Sequence, residues 1–277
     1  MDFNILPDYR AQTSFINRLS ENAVVFSAGK SLCARNIYAL RLGKGYPFAL
    51  IAAGFHGTEY LTVLAAYRFA LEHAAGNNPR SVIIVPCANP DGTEIAINGF
   101  SSACRYSKTA AKICRDKNLW KANARGVDIN RNFSACWSEV KRRELKLGIN
   151  KPACTRFGGY RPESEPETKA MTRLCVRFNF SRVIALHSQG REIYSDFKNC
   201  APQSAHALAE KMANASGYSL AQPEAIADGG GFKDWFLLKY RRPAFTAEIG
   251  LGENPLPLSD FEAEYPRVRA LLNAFLE

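Results

Sequence analysis

Long apolar runs are missing from this chain: no segment approaches the roughly 20 residues that a membrane-spanning helix requires, so no membrane partner is expected. Internal repeats, heptad seams and low-complexity tracts are absent too, which excludes solenoid, coiled-coil and largely disordered organisation. Cys-x-x-Cys does not occur, and eight cysteines in 277 residues are neither a redox motif nor the disulfide framework of a small secreted domain. Reduced thiols are expected, with Cys87 and Cys175 in the core. Were the chain exported, the region of Cys104, Cys114, Cys136 and Cys154 would be open to bridging. The opening Met1-Asp2-Phe3-Asn4-Ile5-Leu6 has an early acid and no basic region before an apolar core, so no secretory signal is read and a cytoplasmic location is expected.

Dense basic clusters are also scarce. The formal charge is +10, yet the basic residues are spread out, and the one local group, Lys141-Arg142-Arg143, reads as the solvated face of a helix. No nucleic-acid partner is expected; a diffuse positive field instead favours a small substrate with several free carboxylates. The length and the 47% hydrophobic content suit one catalytic domain over residues 1–277.

Histidine is rare, and its positions therefore carry information. Of four histidines, His73 sits within a helical pattern and His206 in an Ala-rich one, but His56 and His187 each end an apolar, strand-like run. His56 follows Phe48 to Phe55 and opens His56-Gly57-Thr58-Glu59; His187 follows Arg182-Val183-Ile184-Ala185-Leu186; a third run, Ala244 to Ala247, ends in Glu248. Two imidazoles and one carboxylate can hold one divalent ion, and a further carboxylate can serve as base, which together make a hydrolytic zinc site.

Periodicity predicts strands at 22–27, 38–42, 48–53, 81–87, 183–186 and 245–248. It predicts helices at 60–75, 163–178, 203–217, 231–240 and 268–275. Residues 89–135 are rich in Gly, Asn and Arg, lack periodicity and read as long active-site loops. Strands alternating with helices predict an α/β fold, a mixed and mostly parallel twisted sheet with helices on both faces, its ligand groups at strand carboxyl ends.

Five ordered segments resemble the zinc carboxypeptidase family over nearly the whole chain: His56-Gly57-Thr58-Glu59, Asn89-Pro90-Asp91-Gly92, Gly126-Val127-Asp128-Ile129-Asn130-Arg131-Asn132-Phe133, His187-Ser188 and Thr246-Ala247-Glu248. Within the family the chain looks most like bacterial γ-D-glutamyl-meso-diaminopimelate peptidases. The segments that carry this are His187 to Tyr194, Gly231-Phe232-Lys233-Asp234-Trp235-Phe236, and Glu248 to Pro257. The resemblance implies one Zn²⁺ on His56, Glu59 and His187, with Glu248 as general base. It implies that Asp128 orients His56, and that Asn130 and Arg131 bind a substrate carboxylate, a role that suits the guanidinium fork. Where the family has an arginine for the developing oxyanion, five residues before Gly126, this chain has Lys121; Arg125 stands four residues later, and both are candidates. Lys233 and Asp234 are expected beside the leaving residue. The tyrosine that digestive carboxypeptidases hold eight residues before their Asp-Trp is replaced by Ile226.

The resemblance implies a peptidase acting on peptidoglycan-derived stem peptides in muropeptide recycling. An ordinary metallocarboxypeptidase releasing C-terminal L-amino acids and a zinc-dependent binding protein are the alternatives. Intact Glu248 argues against the binding protein, and Ile226 with the Gly231 to Phe236 segment argues against the ordinary carboxypeptidase.

Overall fold

The apolar tetrapeptides β3 (Ala49–Ala52) and β4 (Val82–Val85) lie side by side near the middle of an eight-stranded sheet, and every residue of both is buried. They belong to a computed structural model that describes residues 3–76, 80–224 and 228–277. In chain order the strands are β1 (Val24–Lys30), β2 (Asn36–Leu42), β3, β4, β5 (Arg182–His187), β6 (Glu192–Tyr194), β7 (Ser219–Leu220) and β8 (Ala244–Glu248). Across the sheet they run β1-β2-β4-β3-β5-β8-β6-β7. The inner four, β4, β3, β5 and β8, are parallel to one another, while β2 joins β4 and β1 joins β2 antiparallel at one side and β6 pairs antiparallel with β8 at the other. The expected mixed, mostly parallel sheet is the one observed.

Successive strand residues point to opposite faces, and both faces are covered. Leu40, Ile51, Ile84, Ile184 and Phe245 face one core, filled from α1 (Tyr9–Leu19), α2 (Tyr60–Ala74), α7 (Gln203–Ser216) and α9 (Phe261–Leu276). Ala39, Leu50, Ile83, Val85 and Val183 face the other, filled from α6 (Pro166–Phe178) and α8 (Phe232–Tyr240). Coverage on both sides is why the inner strands read as unbroken apolar runs rather than as alternation. A third, smaller core around Ile95, Ala103, Ala110 and Trp120 lies beneath α3 (Pro90–Asn98) and α4 (Ser107–Ile113); α5 (Trp137–Lys146) completes the helices among the described residues.

Three expectations shift. The stretch 89–135 contains α3 and α4 rather than loops alone: the Asn89 side chain caps α3 by accepting from the Gly92 N–H at 2.9 Å, and Pro90 occupies its first turn. The helix expected from residue 163 begins at Pro166, since Glu163 has φ +51° and proline is favoured in the first turn of a helix. The last helix starts at Phe261, not at Val268, because Pro266 breaks the sequence pattern yet is accommodated within α9. No described helix is long and apolar enough to cross a membrane.

Candidate active site

The parallel strands β4, β3, β5 and β8 put four carboxyl ends next to one another, and β3 has β4 on one side and β5 on the other, a topological switch point where open α/β sheets bind ligands. His56 and Glu59 lie in the turn between β3 and α2; His187 is the last residue of β5, and Glu248, the last of β8, is its register partner. Gly57 lets this turn press against the segment that carries Lys121. A Cβ there would come within 2.3 Å of the Gly92 carbonyl and 2.6 Å of the Trp120 carbonyl, and the Gly57 N–H donates to the Lys121 carbonyl at 3.2 Å.

Glu59 is the hub of the group. Its Oε1 lies 2.8 Å from Nδ1 of His56 and its Oε2 lies 3.0 Å from Nδ1 of His187, while Lys121 Nζ donates to Oε1 at 3.0 Å. One ligating atom from each of His56, Glu59 and His187 falls within 4.8 Å of the others. Two imidazoles and a carboxylate, with their donor atoms converging, fit a zinc ion with an open coordination position. The far nitrogens are held as well: His56 Nε2 is 3.1 Å from Asp128 Oδ1, and His187 Nε2 is 3.2 Å from Asn130 Nδ2. Phe55 stacks on His187 with ring centroids 5.2 Å apart. Asp128 also accepts from the Asn130 and Arg156 N–H groups, and Asn130 Oδ1 accepts from the Phe232 N–H at 2.9 Å, which ties the start of α8 to the metal ligands.

Burial governs the charges. It pushes the Glu248 carboxyl up to about 8, with the Glu59 carboxylate adding to the rise. Burial also lowers His187. Burial tends to raise Asp128, but His56, by charge and hydrogen bond, together with Arg131 and the Arg156 N–H, holds the carboxyl well below its ordinary value. Lys121 is raised, first by the Glu59 carboxylate.

A cavity of about 490 Å³ collects His56, Glu59, His187, Glu248, Lys121, Asp128, Asn130, Arg131, Lys233 and Asp234 in one lining. Arg125 is not among them. It forks onto Glu165, with Nε 2.7 Å and Nη2 2.6 Å from the two carboxylate oxygens, so of the two candidate cations only Lys121 faces the cavity. Lys233 and Asp234, in the first turn of α8, do not face solvent. Both are buried and bonded to each other at 2.5 Å, and Lys233 donates as well to the Asp196 carbonyl. Ile226 lies outside the described residues. Sequence reasoning assigned nothing to Arg156, Thr58 or Tyr194, which also line the cavity. Arg156 sits at φ +68° in an aperiodic loop that carries no sequence signal. Thr58 lay in plain view between two ligands, and its buried hydroxyl has no partner among the described residues.

Comparison with known proteins agrees with this geometry. The zinc carboxypeptidase family profile matches residues 12–266. Gamma-D-glutamyl-L-diamino acid endopeptidase 1 of Lysinibacillus sphaericus is 34% identical over 267 residues, covering 90% of this chain and 66% of that protein. Murein peptide amidase A of Escherichia coli strain K12 is 29% identical over 192 residues, covering 67% of this chain and 64% of its own length. This chain therefore spans just under two thirds of each of these two relatives. In structure, bovine thrombin-activatable fibrinolysis inhibitor, solved with tick carboxypeptidase inhibitor, superposes with a TM-score of 0.78 at 19% identity, covering 99% of this chain and 97% of that one.

Proposed function

Because this chain belongs to the zinc carboxypeptidase family, and is thereby a metallopeptidase whose cofactor is zinc, we propose that it hydrolyses the γ-D-glutamyl–meso-diaminopimelate bond of peptidoglycan stem peptides. The observation that carries this reading is the 34% identity, over 90% of the chain, to a protein named as a γ-D-glutamyl-L-diamino acid endopeptidase. The charge in the cavity supports it. Lys121, Arg131, Arg156 and Lys233 share one lining, and a γ-linked D-glutamyl residue keeps a free α-carboxylate beside the scissile bond, while diaminopimelate brings carboxylates of its own. Cations are the matching partners.

Zinc bound by His56, Glu59 and His187 supplies a Lewis acid that acidifies water and polarises a carbonyl oxygen. The remaining work falls to the chain. Glu248 takes the proton of the attacking water and hands it to the leaving amine. Lys121 offers its ammonium to the oxyanion, and Arg131 with Asn130 binds a substrate carboxylate. Asp128 fixes the His56 ring through Nε2.

The test is to incubate the purified enzyme with L-Ala-γ-D-Glu-meso-diaminopimelate and, separately, with a blocked dipeptide ending in an L-amino acid, and to identify the products by mass. Release of diaminopimelate from the first alone is the expected result. Turnover of the dipeptide alone would overturn the reading in favour of an ordinary metallocarboxypeptidase.

A further inference from the structure

All eight cysteines are free thiols, and four of them meet in two pairs around the third core. The Cys33 thiol has Cys104 as a neighbour, and the Cys154 thiol has Cys114. The surrounding chain draws the same segments together. Arg35, two residues beyond Cys33, donates through Nη2 to the carbonyl of Ser102, two residues before Cys104, at 2.9 Å. A Cβ on Gly126 would lie 2.8 Å from Ile113 Cδ1 and 3.2 Å from Ala153 N, so the residues just before Cys114 and Cys154 flank one glycine. Cys33, Cys114 and Cys154 all pack against the same small apolar cluster. A metal reading of these thiols lacks donors: among the described residues, the group of three or more side chains arranged to hold an ion is His56, Glu59 and His187.

We propose that Cys33 with Cys104 and Cys114 with Cys154 form two disulfides in an oxidising thiol–disulfide environment, clamping both ends of the segment 104–114 and fastening one wall of the catalytic cavity. Cys154 itself lines that cavity. Its carbonyl accepts from the Lys121 and Ala122 N–H groups at 2.8 and 3.0 Å, so the second bridge ties α4 to the loop that abuts Lys121 and leads into Arg156. Each bridge forms by exchange with a low-molecular-weight disulfide such as oxidised glutathione. One protein thiolate attacks the reagent's S–S bond and expels one glutathione thiolate; the second cysteine then attacks the mixed disulfide and expels the other. Two protein thiols are oxidised to one disulfide, and one oxidised glutathione is reduced to two thiols, which take up the two protons released. Exposed Cys104 is the entry point of the first pair. In the second pair Cys114 leads, because burial holds the Cys154 thiol up at about 11.

The experiment uses the wild-type chain equilibrated in millimolar oxidised glutathione or in dithiothreitol. Remaining thiols are then alkylated, the protein is digested without reduction, and the peptides are identified by mass. Cross-linked peptides joining 33 to 104 and 114 to 154 are expected in the oxidised sample only, with a Tm higher than that of the reduced sample by on the order of 5–10 °C. Cys104→Ser should abolish the first cross-link alone and Cys114→Ser the second alone. Glutathione adducts in place of cross-links, other pairings, or four alkylated thiols after oxidation would overturn the proposal, whatever the activity of the enzyme.

Discussion

Glu248 and Glu167 are both glutamates whose carboxyls are pushed up to about 8 chiefly by burial, yet they sit in regions that do different things. Glu248 lines the cavity beside Glu59 and Lys121. Glu167 belongs to a nest of acids on another side of the segment 121–128, where it accepts from the Leu32 N–H and the Asn123 amide next to Glu165 and Asp91. Lys121 and Arg125, four residues apart, divide the same way: Lys121 reaches Glu59, and Arg125 forks onto Glu165. A displaced pKa marks burial, and only its combination with access to substrate marks chemistry.

The sharpest break of this comparison is a pair of variants. Glu248→Gln should lower kcat by roughly 10²–10⁴-fold with one zinc per chain retained by elemental analysis, while Glu167→Gln should leave kcat within about twofold of wild type. Equal losses in the two variants would erase the distinction. Next in size, Lys121→Met should lower kcat by roughly 10²–10³-fold, the typical loss when one oxyanion donor is removed. Arg125→Met should instead act on stability, because it strips the ion-pair partner from a glutamate whose side chain is 1% exposed. With the Arg125 side chain 38% exposed, the expected fall in Tm is modest, roughly 5 °C. A collapse of kcat in the Arg125 variant with unchanged Tm would reverse the two roles.

The smallest effect concerns pH. A carboxyl raised from 4.5 to about 8 in the folded chain binds its proton more tightly there than in the unfolded chain. Its favourable contribution is complete below pH 4.5 and is lost as pH climbs toward about 8. Glu167→Gln should therefore gain a few degrees of Tm over wild type at pH 8 and little at pH 5. Thermal scans at the two pH values check this, and a difference that does not change with pH would count against it.

The split between the two regions also explains what was legible in the sequence. His187 and Glu248 end apolar strands and His56 follows one closely, so the alternation of strands and helices already placed them at one end of the sheet. The inner strands were readable because burial on both faces leaves continuous apolar runs such as Val82–Val85. Short elements escaped: β6 and β7 have three and two residues, too few for any period to show. α3 escaped because Gly92 and polar neighbours mask its pattern, although the Asn89-Pro90 start was a usable signal. The ambiguity between Lys121 and Arg125 could not be resolved along the chain, since it turns on Glu165, an acid forty residues away that captures one of the two cations.

The central claim is that His56 and Glu59 from one turn and His187 from a distant strand end share one cation. Anomalous diffraction at the zinc edge from crystals grown with equimolar zinc tests it most directly. One peak is expected, about 2.0–2.2 Å from an imidazole nitrogen of His56, from one of His187 and from a carboxylate oxygen of Glu59. A principal peak elsewhere, or one that touches only two of these three side chains, would contradict the account.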